Sequence, residues 1–154
     1  MYTKILVPLD GSELAESVIP YVKWFNKVSK VNEILLLRAV EHLHISGGLE
    51  SHVLPEEREH IEQDAVNLAT EYLEKVAEEF KEGRVSVKPV VIVGKPAKVI
   101  AEYVAKSDID LIIMATHGFS GIHRWVRGST ADEIIHAALV PVFLVRPQDK
   151  PPDA

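Results

Sequence analysis

The chain of 154 residues contains no cysteine. That excludes a disulfide framework, a thiol nucleophile and a thiolate metal site together. It also agrees with a reducing compartment, because small secreted domains lean on disulfides. An excess of positive charge is missing too. The 17 Lys and Arg face 23 Asp and Glu, for a formal net charge of −6, whereas chains that neutralise many duplex phosphates are basic. DNA and RNA are therefore not expected partners. A mononucleotide stays open, since backbone N–H groups and one or two side chains can hold it. No apolar run approaches the length of a bilayer span, so no membrane is expected. The opening MYTKILVPLDGSE breaks at Pro8 and Asp10 and lacks the apolar core and cleavage site of a secretory leader. A cytoplasmic protein is expected.

What is present suits a globular fold. Hydrophobic residues make up 47% and charged residues 26%, and the length fits one domain over 1–147 with a disordered, proline-rich tail at 148–154. Short apolar runs alternate with helical patterns. Residues 5–9 read as a buried strand ending at Asp10-Gly11. Residues 12–28 read as a helix, with Leu14, Val18, Val22 and Phe25 on one face. Residues 34–40 form a second apolar run, suited to a strand covered on both faces. Residues 41–55, with Gly47-Gly48 and three histidines, read as a loop. A long helix follows over 56–81, with Ile61, Ala65, Leu68, Tyr72, Leu73 and Val76 on its buried side and Gly83 closing it.

Residues 85–93 read as a strand, which Pro89 places at a sheet edge because proline cannot donate a ladder hydrogen bond. Pro96 opens a helix running to Lys106, and 109–115 is the fourth strand. A helix over 129–138 and a strand over 142–146 complete a β-α-β-α-β-α-β-α-β pattern. The expected fold is α/β: a doubly wound, five-stranded parallel sheet with helices on both faces. In such sheets ligands bind beyond the carboxyl ends of the strands. That singles out Pro8-Leu9-Asp10, Ala39-Val40-Glu41 and the stretch from Met114 to Gly118.

The segment from Met114 to Thr130 carries the most information. Gly118 and Gly121 allow close backbone approach or positive φ, and Gly128-Ser129-Thr130 puts free N–H groups and hydroxyls at a helix start, where anions bind. The same residues equally suit a shaped loop with Ser129 as a helix cap. His117 can touch a phosphate or bond within the turn. Arg124 and Arg127 can reach a γ-phosphate or lie on a solvated face. Asp10 can serve as a ribose or metal ligand, or pair with Glu13 in a capping box. His42, His44 and His52 lack partners at a ligand spacing and read as loop residues. The P-loop and dinucleotide patterns are absent, Gly118-Phe-Ser-Gly121 falls short of a nucleophile elbow, and the aspartate and lysine of a phosphorelay receiver are missing.

The segment resembles the signature of the universal stress protein family in its ATP-binding branch, G-x2-G-x9-G-[ST]. Nine residues separate Gly118 from Gly128, and Ser129 follows. The first signature glycine falls at Ala115, a departure that keeps a small residue there. The resemblance extends to the stretch from Lys4 to Ser12, to Asp110–Gly118 and to the run from Pro141 to Val145. It implies a Rossmann-like sheet of strand order 3-2-1-4-5, of the adenine nucleotide alpha hydrolase-like type. It further implies that Pro8 and Asp10 lie beside the nucleoside, that Ala39 meets adenine through its backbone, and that Met114 and Ala115 border the ribose. Gly118, Gly128, Ser129 and Thr130 are implied to hold the phosphates. The ligand so implied is ATP, or ADP or AMP, with Mg or Mn. The resemblance also implies a homodimer along Val142–Val145 and a sensor or adaptor role in stress response, toward an unnamed protein partner. Two alternatives stand beside it. One is a slow ATPase or a phosphoryl or nucleotidyl transferase, although no residue is an obvious base and only Asp10 and Glu41 lie near the strand ends. The other is a dimeric interaction module that binds no nucleotide.

Overall fold

The computed structural model describes residues 2–42, 54–81, 83–116 and 130–146. Its elements run β1 (Lys4–Pro8), α1 (Glu13–Glu16), α2 (Ile19–Val28), β2 (Glu33–Val40), α3 (Pro55–Glu78), β3 (Ser86–Val93), α4 (Pro96–Lys106), β4 (Leu111–Ala115), α5 (Thr130–Ala137) and β5 (Val142–Val145). All four strand pairings are parallel and the order is β3-β2-β1-β4-β5. The expected architecture is the observed one.

The continuous apolar runs are explained by burial on both faces. Alternate side chains of each strand enter opposite layers. Ile5, Val7, Ile34, Leu36 and Ile113 pack with α2 and α3 in one layer. Leu6, Leu35, Leu37, Ile112 and Met114 pack with α4 and α5 in the other. Asp110 fixes the amino end of the central strands: its carboxylate accepts from the Thr3 N–H (2.7 Å), the Thr3 hydroxyl (2.9 Å) and the Lys4 N–H (3.2 Å). β4 begins at Leu111, two residues later than the expected 109. β3 is an edge strand, as Pro89 requires. Ser86 and Gly94 donate their N–H groups to Asn32 and Val40, so the even-numbered residues face β2, and Pro89 falls on the outward side, where no donor is needed.

Three further expectations are corrected. The helix over 12–28 is two helices, because Pro20 sits in the first turn of α2 and its ring and missing N–H cannot continue α1. Ser17 closes α1 by donating its hydroxyl to the Leu14 carbonyl at 2.6 Å. The long helix ends at Glu78, and Gly83 lies beyond it, in a turn where its N–H bonds the Phe80 carbonyl at 3.1 Å. Finally, only Ala69, Leu73 and Val76 of α3 are buried, whereas Ile61 is 45% and Leu68 66% exposed. A 24-residue helix is ~36 Å long while the eight-residue β2 spans ~26 Å. The first turns of α3 therefore have no sheet beneath them.

Candidate functional site

A cavity of about 470 Å³ opens beyond the carboxyl ends of β1, β2 and β4. This is where the winding switches direction, since β1 leads to β2 and β3 on one side while β4 and β5 lie on the other. Pro8, Leu9 and Asp10 enter it from β1, Leu37, Ala39 and Glu41 from β2, and Met114 and Ala115 from β4. Pro96 and Ile100 of α4 and Thr130, Ala131 and Ile134 of α5 close the far wall. Leu37, Ile100 and Ile134 are almost wholly buried, so the floor is apolar and the polar atoms are few, an arrangement typical of small-molecule sites.

The turn after β1 is tightly specified. Asp10 Oδ1 accepts from the Ser12 N–H at 2.9 Å and from its hydroxyl at 2.6 Å. Ser12 Oγ in turn accepts from the Ala15 N–H at 3.1 Å, which makes Ser12 the N-cap of α1. The capping box of Asp10 with Glu13 is therefore not formed: Asp10 holds the cap, and Glu13 sits in the first turn, where its charge complements the helix dipole. Gly11, between them, has φ +88°, a backbone state that favours glycine. Burial opposes the charge on Asp10. The Ser12 hydrogen bonds and the nearby Arg38 cation outweigh it, so the carboxyl lies below its ordinary value of 3.8. Asp10 is ionised at neutral pH and lines the cavity as a hydrogen-bond acceptor.

Pro8, Asp10, Ala39, Met114, Ala115 and Thr130 thus line one cavity, although they come from four separate parts of the chain. His117, Gly118, Gly128 and Ser129 lie outside the described residues, as do Arg124, Arg127, His44, His52 and the tail. His42 meets Glu62 of α3 at 2.9 Å. Among the described residues no group of three His, Cys, Asp or Glu can hold a metal ion, and no helix is long and apolar enough to cross a membrane. The sequence pattern did not single out Ser12, Arg38 or the apolar wall from α4 and α5. Ser12 stands at a cap position in the sequence and Arg38 interrupts an apolar run, so both had a local signal. Ile100 and Ile134 look like any core residue.

Comparison with known proteins agrees with the fold. A model described as "Universal stress protein family" matches residues 1–146. Universal stress protein MJ0577 of Methanocaldococcus jannaschii is 30% identical over 161 residues, covering 95% of this chain and 96% of that protein. Its solved structure superposes with a TM-score of 0.78 at 26% identity, covering 97% and 99% of the two chains. Two more distant structures share the fold at a TM-score of 0.65 each. One is a universal stress protein in complex with cAMP, at 16% identity, covering 96% and 98%. The other is an Arabidopsis thaliana family member with AMP bound, at 17% identity, covering 94% and 91%.

Proposed function

Since the chain belongs to the universal stress protein family, we propose that its strand-end cavity binds an adenine nucleotide, ATP foremost, and that the bound nucleotide sets how a homodimer presents itself to a protein partner in the cytoplasm during stress. The observation that carries this is the cavity itself: an apolar floor, the ionised Asp10 carboxylate and the first turn of α5, gathered at the switch point of a parallel sheet. The AMP and cAMP held by two structures of the same fold support the choice of base.

In this reading the adenine lies against the apolar floor near Leu37 and Ala39, where the backbone beside Ala39 can read its edge. The ribose hydroxyls donate to Asp10 between Pro8 and the small pair Met114-Ala115. The phosphates run toward Thr130, with His117, Gly118, Gly128 and Ser129 completing their cradle. Ala115, where the family signature has glycine, lines the cavity with a single methyl group and keeps the wall low. The Asp10 carboxylate already serves two donors of Ser12 and has the Arg38 cation nearby. That favours a hydroxyl over a cation at this carboxylate, so any Mg or Mn arrives with the phosphates. Dimerisation through Val142–Val145 is supported by the place of β5 at the sheet edge, with Leu144 39% exposed.

Calorimetry with ATP tests this. The native protein binds, Asp10→Asn weakens binding about tenfold, a typical worth for one charge-assisted hydrogen bond, and Gly128→Ala and Ser129→Ala weaken it with little loss of fold. Absence of ATP binding, together with no adenine nucleotide co-purifying, overturns the proposal and leaves a dimeric module without nucleotide. Glu41 lines the same cavity as Asp10. Turnover of ATP abolished by either Asp10→Asn or Glu41→Gln would add a slow hydrolytic activity to the binding role.

A further inference from the structure

Arg38 is out of character with its strand. β1 and β2 are otherwise charged only at their first residues, Lys4 and Glu33, and β4 carries no charge. A guanidinium drawn partly out of water needs compensating contacts, and a leucine would fill the same layer more simply. The contacts Arg38 makes are specific. Its guanidinium carbon lies 5.1 Å from the centre of the Tyr72 ring on α3, a cation–π arrangement. A Cβ added at Gly11 would stand 3.1 Å from Nη1 and 3.3 Å from Cζ and Nη2. The guanidinium thus touches an aromatic ring on one element and the turn after β1 on another. No carboxylate among the described residues forms an ion pair with it.

We infer that Arg38 is a positioning residue for the strand-end cavity: held by Tyr72 and acting from behind the turn, it braces Asp10, Gly11 and Ser12 so that the Asp10 carboxylate faces the ligand. Arg38 does not line the cavity, so it acts through the turn and not by contact. Its charge is one of the influences that keep Asp10 ionised. The Ser12 hydrogen bonds act in the same direction and weigh more, but the other titratable groups around Asp10 supply no positive charge. Glu41 shares the cavity and is acidic. Glu16 of α1 is acidic as well, and Tyr72 is kept neutral, its hydroxyl pushed up first by burial and then by Glu16. Among the described residues, Arg38 is the cation that acts on both Asp10 and Tyr72.

The inference rests on the nucleotide proposal for its consequence but not for its test. Arg38→Met and Arg38→Lys are compared with the native protein by carbon-13 titration of the Asp10 carboxyl without ligand, by calorimetry with ATP and by thermal melting. In Arg38→Met the Asp10 midpoint moves up and ATP affinity falls roughly tenfold, with no further fall when Asp10 is already Asn. Arg38→Lys restores more of the midpoint than of the affinity, because an ammonium supplies charge without the planar fork. If Arg38→Met lowers only the melting temperature, leaving midpoint and affinity unchanged, Arg38 is a stacking residue and the inference is overturned. If the native protein binds no ATP, the nucleotide proposal falls by itself. The Asp10 midpoint then still decides: a moved midpoint upholds the brace, and an unmoved one ends it.

Discussion

Glu33 and Lys4, the first residues of β2 and β1, stand opposite each other in register, with Glu33 Oε2 3.0 Å from Lys4 Nζ. The other carboxylate oxygen of Glu33 takes Lys88 of β3, so one acid ties three strands together at the end of the sheet remote from the cavity. The Lys88 and Lys4 hydrogen bonds hold Glu33 below its ordinary value of 4.5. A lowered folded-state value means that this stabilisation is fully present above 4.5 and is lost as pH falls through the folded value. Glu33→Gln should therefore flatten the acid limb of stability. The side chains remain partly solvated, so the loss at pH 7 should be about 1 kcal/mol or less. Urea midpoints of the two proteins, followed downward from pH 7, check this: they differ at pH 7 and draw together as the pH falls below 4.5.

Gly11→Ala forces a side chain into positive φ and against the Arg38 guanidinium. The backbone alone should cost ~1–2 kcal/mol. Denaturant unfolding measures the loss, and ATP calorimetry should show weaker binding in the protein that remains folded.

Ser12→Ala removes the side-chain N-cap of α1, which accepts from the Ala15 N–H, and the hydrogen bond that the Ser12 hydroxyl donates to Asp10 Oδ1, while the Ser12 backbone N–H still donates to that oxygen. A stability loss of ~1 kcal/mol is expected, together with an upward move of the Asp10 titration midpoint. Ser12→Thr, which keeps a hydroxyl, should largely retain both.

Leu68→Gln and Leu73→Gln test the overhang of α3. Leu68 is 66% exposed and Leu73 fully buried. The first change should stay within ~0.5 kcal/mol, while the second should cost at least the ~2–5 kcal/mol of a large core truncation. Equal costs would mean that α3 buries its first turns as its apolar spacing suggests.

The strands were legible because burial on both faces leaves an unbroken apolar run, as in Ile34 to Leu37, and their edge was legible from Pro89. The break between α1 and α2 was hidden, since Leu14, Val18, Val22 and Phe25 keep helical spacing straight through it, and Pro20 decides the matter locally. The misread face of α3 has a different cause. Periodicity reports which residues share a helix face, but whether a sheet lies under that face depends on the lengths of distant strands. The same distinction governs the site. Pro8, Asp10, Ala39, Met114 and Ala115 could be picked out because each ends a strand, and strand ends converge in this fold. Ile100 and Ile134 reach the cavity from helices across the sheet, and Arg38 acts on Asp10 from another strand, so their neighbours in sequence say nothing of it.

The pairing of β1 with β4, Leu6 against Ile112, has a consequence for how the chain is made. On the ribosome β1, β2 and β3 are complete while β4 is still unmade, so the strand that ends up at the centre of the sheet first stands at its rim, with one apolar flank unpaired. Its permanent neighbour is added only when Leu111 and Ile112 emerge. At ~5–20 residues per second that interval lasts on the order of seconds, and during it the nascent sheet is open to the wrong strand. Variants that slow translation between β3 and β4 should therefore lower the soluble yield without changing the stability of the finished protein.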